Sequence, residues 1–333
     1  MKYRLPAEWE PHEATWLAWP HYEKHWPGKF EPIPFVYEKI AHALAQNEKV
    51  NILVNDEAME NGAKKILGNN LNNIYFYRVP TNSSWTRDYG PIYVKDENGN
   101  LLAEDWIFNA WGGQWEYNLD DVVPQKIAGL QKIPLISTKL VLEGGSIDVN
   151  GKGSLLTTRQ CLLNKNRNGN LTQKQIEKSL AEFLGTANIL WLNEAVTGDD
   201  TSGHIDELAR FTDANTIVCS LEENPADVNY GGLKKNYEDL LAMRDEKEKK
   251  FNVVPLPMPD PVIYQGQRLP ASYCNFYIAN SVVLVPVFNC PKDKIALETL
   301  QKLFPDRRVM GIDCVDLVWG LGTIHCSTQQ QPK

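Results

Sequence analysis

An α/β protein assembled from repeated units is the fold class this sequence predicts, and three observations carry the expectation. Segments with helical periodicity alternate with short β-like runs along the whole chain. Chemistry-bearing residues sit at the edges of those runs, about one to a unit. No Pro/Gly/Ser-rich linker or shift of composition divides the 333 residues, so we read one domain over 1–333.

In chain order, Phe35 to Gln46 has apolar residues at three- and four-residue intervals and reads as a helix. Val50 to Val54 and Ile74 to Val79 are apolar runs of strand length, as is Gly153 to Thr158. A second helix is expected over Thr172 to Leu184, with Thr172 as its N-cap. Thr216 to Ser220 reads as a strand, Tyr230 to Lys250 as a helix, and Asn275 to Val287 as β structure broken near Asn280-Ser281. Lys292 to Leu303 is the last helix, and Leu256 to Pro261 is expected to be a rigid loop. Asp88, Glu143, His204, a polar cluster from Arg268 to Asn275, and Cys326 fall at the edges of these runs. Five such units suggest a radial arrangement that sends one loop from each repeat to a common centre. A doubly wound open sheet gives the same alternation, although it collects ligands at a single switch point.

Composition narrows the function. With 43% hydrophobic and 23% charged residues the chain is an ordinary globular protein. A net charge of −8 argues against binding a phosphate backbone, which requires clustered Lys and Arg, and tolerates cationic ligands. No stretch approaches a membrane span, and the first residues lack the apolar core of a signal peptide. A cytoplasmic location is therefore expected, with neither membrane nor nucleic acid as partner. The six cysteines lack Cys-x-x-Cys spacing, so neither a disulfide framework nor a zinc site is expected.

Cys326 follows what reads as the last hydrophobic strand, in Val318-Trp319-Gly320-Leu321-Gly322-Thr323-Ile324-His325-Cys326, and precedes the polar Ser327-Thr328-Gln329-Gln330. A buried structural cysteine is the competing reading, but two glycines and a polar tail make a poor apolar core position, and a nucleophile is expected. The other five cysteines read as small buried hydrophobes or bystanders. His204 and Asp206 in Gly203-His204-Ile205-Asp206 project to one side if the backbone is extended. Glu143 lies between Val141-Leu142 and Gly144-Gly145; an acid placed there requires a partner, for which an imidazolium is suited. Asp88, in Trp85-Thr86-Arg87-Asp88-Tyr89-Gly90-Pro91, adds a further carboxylate. His325 is expected to be structural, pointing away from the face that Cys326 uses. Among the ten tryptophans, Trp85 and Trp111 adjoin these motifs, and Asn109-Ala110-Trp111-Gly112-Gly113 is the best candidate for an aromatic wall facing a cation.

On these runs, together with Pro6-Ala7-Glu8-Trp9-Glu10-Pro11-His12, Thr157 to Arg167, Ala271-Ser272-Tyr273 and Asn275-Phe276-Tyr277, the chain resembles the agmatine deiminase, or Porphyromonas-type peptidylarginine deiminase, family of the guanidino-group modifying superfamily. The resemblance spans nearly the full length. It implies a pentein, a five-fold pseudosymmetric α/β propeller with the active site at its axis. It also implies hydrolysis of a guanidinium to a ureido group and ammonia, without metal or cofactor, in a homo-oligomer. Carried over by motif, Cys326 matches the nucleophile, His204 the general acid and base, and Glu143 the carboxylate supporting the histidine. Asp88 and Asp206 match the two carboxylates that grip the guanidinium, and Asp200 a further acidic ligand. Agmatine is the substrate expected; peptidylarginine, free arginine and non-catalytic polyamine binding are the alternatives. The run Trp19 to Trp26 departs from the Arg-x-Asp-Asn-Trp pattern of agmatine-specific members, and Leu321 stands where a glycine is often found.

Overall fold

The computed structural model describes residues 2–333. Five of its sheets share one plan, in which an antiparallel step is followed by a parallel one. In the first, Tyr3–Arg4 and Ile92–Asp96 run antiparallel, as do Ile92–Asp96 and Leu101–Ile107, and Leu135–Val141 joins parallel. The next three sheets begin at Ile147–Val149, Ala209–Phe211 and Tyr277–Ile278, each antiparallel to the following strand. The parallel strands that complete them are Asn188–Leu192, Asn252–Pro257 and Arg308–Asp313. The last sheet takes its first strand from the end of the chain: Gln329–Pro332 lies antiparallel to His12–Ala18, which is followed in parallel by Lys49–Val54 and Ile74–Arg78.

Parallel neighbours need a crossover, and helices supply it. Ile33–Leu44, Glu57–Leu67, Val123–Gln131, Gln173–Leu184, Tyr230–Ala242 and Lys292–Leu303 each lie between two parallel strands. Strands covered in this way are apolar almost throughout, as in Lys49–Val54 and Val282–Val287. Gln173–Leu184 shows how sequence sets such an element. Thr172 and Gln175 form a capping box, and Ile176, Leu180 and Leu184 make the buried stripe. Gly185 ends it at φ 68, where a Cβ would lie 2.0 Å from the Tyr3 carbonyl oxygen.

Several expectations need correction. The helix read over Tyr230 to Lys250 stops at Ala242, and the Asp245 carboxylate accepts the backbone N–H of Lys247 and Lys249 instead. The helix read from Phe35 starts at Ile33, because Pro34 fits a first turn. Leu256 and Pro257 are not loop but the end of a strand. The residues before Cys326 form a short 3-10 helix, Leu317–Gly320, rather than a strand. All six cysteines are free, and among the described residues no helix is long and apolar enough to cross a membrane.

The fold places the site by a simple regularity. Asp88, Glu143, His204, Asn275 and Cys326 each lie a few residues ahead of a strand that opens the antiparallel step of a different sheet.

Candidate active site

Cys326 is buried, at 7% exposure, in polar surroundings. Its sulfur lines a cavity of about 170 Å³, together with Trp85, Asp88, Trp111, Trp115 and Asp200. Burial pushes the thiol well above its ordinary pKa, and the nearby carboxylates of Asp206, Glu207 and Asp88 push the same way. The resting form is therefore the neutral thiol. Asn275 Nδ2 donates to Sγ at 3.2 Å, while Asp206 Oδ2 and Glu207 Oε1 lie 3.7 and 4.0 Å from it.

The loop carrying Asp88 is tied to that of Cys326, whose carbonyl accepts from Arg87 N–H at 3.1 Å. Asp88 accepts Trp111 Nε1–H and Gly145 N–H, at 2.8 and 2.9 Å. Trp111 takes a left-handed backbone, φ 55, which turns its ring into the cavity wall. His204 follows, with Nδ1 3.7 Å from Asp88 Oδ1 and Nε2 3.9 Å from Glu143 Oε2. Both ring nitrogens are buried and have no hydrogen-bond partner. Burial opposes charge on this imidazole, but Asp88, Cys161 and Glu143 outweigh it and hold the pKa well above the ordinary value. His204 is thus suited to act as an acid, with both ring nitrogens unpartnered.

Gly145 shows how closely these groups converge. A Cβ there would stand 2.7 Å from Asp88 Oδ1, 2.7 Å from His204 Nδ1 and 3.0 Å from Asp206 Oδ2. Only glycine leaves that space open.

The structure corrects the expected partners. Glu143 has a second partner beside the imidazole expected, Arg167, Nε to Oε1 2.7 Å. Burial pushes the Glu143 pKa up, but His204 and Arg167 bring it below the usual carboxylate range. Cys161, read as a bystander, lies 3.7 Å from Glu143 Oε2. His204 and Asp206 are on a 3-10 turn, Ile205–Glu207, with His204 as its cap, rather than on an extended strand, yet both reach Gly145. His325 does point away from the face of Cys326, yet its ring bonds Asp206 at 2.7 Å.

Three further contributors had no role legible in the sequence, although Asn275 and His25 stand in runs named above. His25 lines the cavity, and its Nδ1 accepts Trp85 Nε1–H at 3.2 Å. Burial and His21 lower its pKa to about 4, so it is a neutral wall. Glu207 is pushed well above the carboxylate range by burial, then by Asp206 and Asp199, and lies 4.0 Å from the Cys326 sulfur. Asn275 has Oδ1 receiving the Thr323 hydroxyl and His325 N–H while its amide meets the sulfur. Around the lining, Lys24 is the one cation among the described residues. Arg87 is spent on Gln329, Gln330 and Glu8, and Arg268 on Asp227. Leu321 has φ 65, the conformation that favours the glycine it replaces.

A buried thiol and two carboxylates line one aromatic-walled cavity, with a protonatable imidazole 3.7 Å from one of those carboxylates, an arrangement suited to chemistry on a cationic substrate. The chain belongs to the Porphyromonas-type peptidyl-arginine deiminase family, whose profile matches residues 4–332. A relative from Legionella pneumophila (strain Paris) is 38% identical over 332 residues, spanning 99% of this chain and 95% of its own. Among solved structures, the agmatine deiminase of Enterococcus faecalis superposes with a TM-score of 0.94 at 33% identity, covering 100% of this chain and 96% of that one. A cysteine-to-serine variant of the C. jejuni agmatine deiminase with substrate bound superposes at 0.92 and 35% identity, covering 99% and 96%.

Proposed function

We propose that this protein is an agmatine deiminase, converting agmatine and water to N-carbamoylputrescine and ammonia. The observation that carries the reading is the convergence of Asp88, His204 and Asp206 around Gly145, beside the Cys326 thiol. A guanidinium keeps its charge at any working pH, and its planar fork suits carboxylates on opposite edges. The names of the solved relatives point to the same substrate. We also read the five sheets as one pentein domain over 1–333, with its five loops meeting at the axis; the shared sheet plan supports this.

The chemistry then runs as follows. Guanidinium binding offsets the carboxylates that suppress ionisation of Cys326, and the thiol releases its proton to solvent. The thiolate bonds to the guanidinium carbon, and the C=N pair moves to nitrogen. Protonated His204 gives its proton to the departing nitrogen, and ammonia leaves a thiouronium on Cys326. Neutral His204 takes a proton from water, whose oxygen bonds to the same carbon. Collapse breaks the C–S bond and frees the ureido product; the hydroxyl proton it sheds restores the thiol. Glu143 and Asp88 keep His204 protonated at the start of each cycle.

Tail specificity follows from what faces the cavity. Arg87 and Arg268 are both paired elsewhere, so neither is free to receive an α-carboxylate. Lys24 is the observation that favours arginine or an arginyl peptide instead. Ammonia release from agmatine, arginine and a peptide with C-terminal arginine decides between them: agmatine should lead by at least about tenfold in kcat/KM. Equal turnover of either carboxylate-bearing substrate would hand the assignment to the peptidylarginine reading.

A further inference from the structure

The run Pro6 to His12 marks the family resemblance, yet none of its residues enters the mechanism above. One of them, Glu8, reaches the site from behind. His325 Nε2 lies 2.8 Å from Glu8 Oε2, and His325 Nδ1 lies 2.7 Å from Asp206 Oδ2. All three side chains are buried. A neutral imidazole has one N–H and can satisfy one carboxylate; two acceptors on opposite nitrogens call for a ring that donates from both.

Both carboxylates are set up to accept. Burial raises the pKa of Glu8, but Arg210, His325 and Arg87 bring it well below the usual range. Arg210 Nη2 lies 2.9 Å from Glu8 Oε1, which also accepts the N–H of Ile278 at 2.7 Å. Glu8 is thereby anchored on its own side. Asp206 has burial against it and His325 as its chief support, and its pKa is lowered. The consequence lies in how its two oxygens divide. Oδ2 is taken by His325, while Oδ1 is buried with no partner. Oδ2 is also the oxygen turned to the site, 3.7 Å from the Cys326 sulfur and 3.0 Å from where a Cβ on Gly145 would stand.

We infer that His325 and Glu8 act as positioning residues: Glu8 holds the His325 ring, and the ring fixes the Asp206 carboxylate with Oδ2 beside Gly145 and Cys326, where the guanidinium is bound. Neither residue lines the substrate cavity; His325 and Glu8 line a smaller one of about 40 Å³, so neighbours Cys326 and His325 serve different faces of one loop. Without the ring, Asp206 can rotate and satisfy both oxygens on other donors. The inference rests on the guanidinium-gripping role proposed for Asp206.

Binding of agmatine, and of guanidinium ion at millimolar concentration, is measured by calorimetry in the Cys326→Ser background, so that turnover does not intervene. His325→Gln should weaken both ligands by about tenfold or more, the size expected for loss of a charge-assisted bond. Glu8→Gln, which leaves the ring in place and removes its far anchor, should weaken them less. His325→Gln added to Asp206→Asn should cost nothing further, since the ring acts only through that carboxylate. With Cys326 restored, His325→Gln should raise KM by more than it lowers kcat. Additive losses in the double variant, or unchanged binding in His325→Gln and Glu8→Gln alike, would overturn the inference. Circular dichroism reports folding of each variant; if His325→Gln does not fold, unchanged binding in Glu8→Gln alone counts against the inference. A parent that binds guanidinium without turning over agmatine would sink the proposed function and leave the bracket standing; one that binds neither ligand would sink both.

Discussion

Asn275 donates from Nδ2 to the sulfur of Cys326 at 3.2 Å, while its Oδ1 receives the Thr323 hydroxyl at 2.7 Å and the backbone N–H of His325 at 3.1 Å. One amide thus fixes both the sulfur and the loop that carries it. Replacing Asn275 with Ala leaves three groups without that partner, and kcat should fall by about 10- to 100-fold, corresponding to about 1.5–3 kcal/mol. Steady-state kinetics with the preferred substrate checks this. An unchanged kcat would show that the sulfur needs no such support.

Gly145→Ala should be nearly inactive, with kcat/KM down by at least about 100-fold, because a misplacement of order 1 Å in an assembled site costs that much. The new methyl would meet Asp88 Oδ1 and His204 Nδ1 at 2.7 Å each. Circular dichroism should report a folded protein. Retention of activity within a few-fold would mean the three groups need not meet in this way.

The legibility of the site follows from distance along the chain. Asp88, Glu143, His204 and Cys326 stand in short runs whose glycines and polar neighbours make them visible, and Gly145 explains one of those glycines physically. Glu8 and His325 are separated by 317 positions, and Asn275 and Cys326 by 51. No local pattern announces such pairs. Arg167 lay within a recognised run, but what it holds could not be read until the fold brought it to Glu143. Helices were legible where a cap and a stripe coincide, as at Thr172, and overrun where a side chain competes for the backbone, as at Asp245. Strands such as Tyr3–Arg4 and Tyr277–Ile278 are too short for periodicity to register.

The Arg167–Glu143 pair is buried on both sides. Arg167→Met should destabilise the protein by about 3–5 kcal/mol, since it leaves a buried carboxylate uncompensated. Denaturant titration measures this. The double substitution Arg167→Met with Glu143→Leu should recover much of the loss; if it does not, the pair stabilises by something other than mutual compensation.

Asp200 gives a pH dependence with a definite sign. Burial and then Asp199 raise its pKa to about 7. It is neutral below that and becomes an anion in the cavity wall above it, so KM for a cationic substrate should fall as pH rises through about 7. Stability moves the other way: the folded pKa lies above the unfolded one, so the contribution present below about pH 4 is lost as pH rises through 7. Asp200→Asn should flatten both trends. A KM profile that keeps its inflection in this variant would assign the titration to another group.

Cys326→Ser should keep the fold and lose turnover, because a hydroxyl nearly matches the thiol in size but lacks an accessible anion. Activity within about tenfold of the parent would remove the nucleophile.

The most direct test of covalent chemistry at Cys326 is mass spectrometry of the parent enzyme quenched with acid during turnover of agmatine, because acid leaves neutral His204 unable to take a proton from water and so traps the thiouronium already formed. The account predicts a mass increase equal to agmatine less ammonia on the peptide containing Cys326. An adduct on any other cysteine, or none in samples quenched after one equivalent of ammonia has been released, would contradict it.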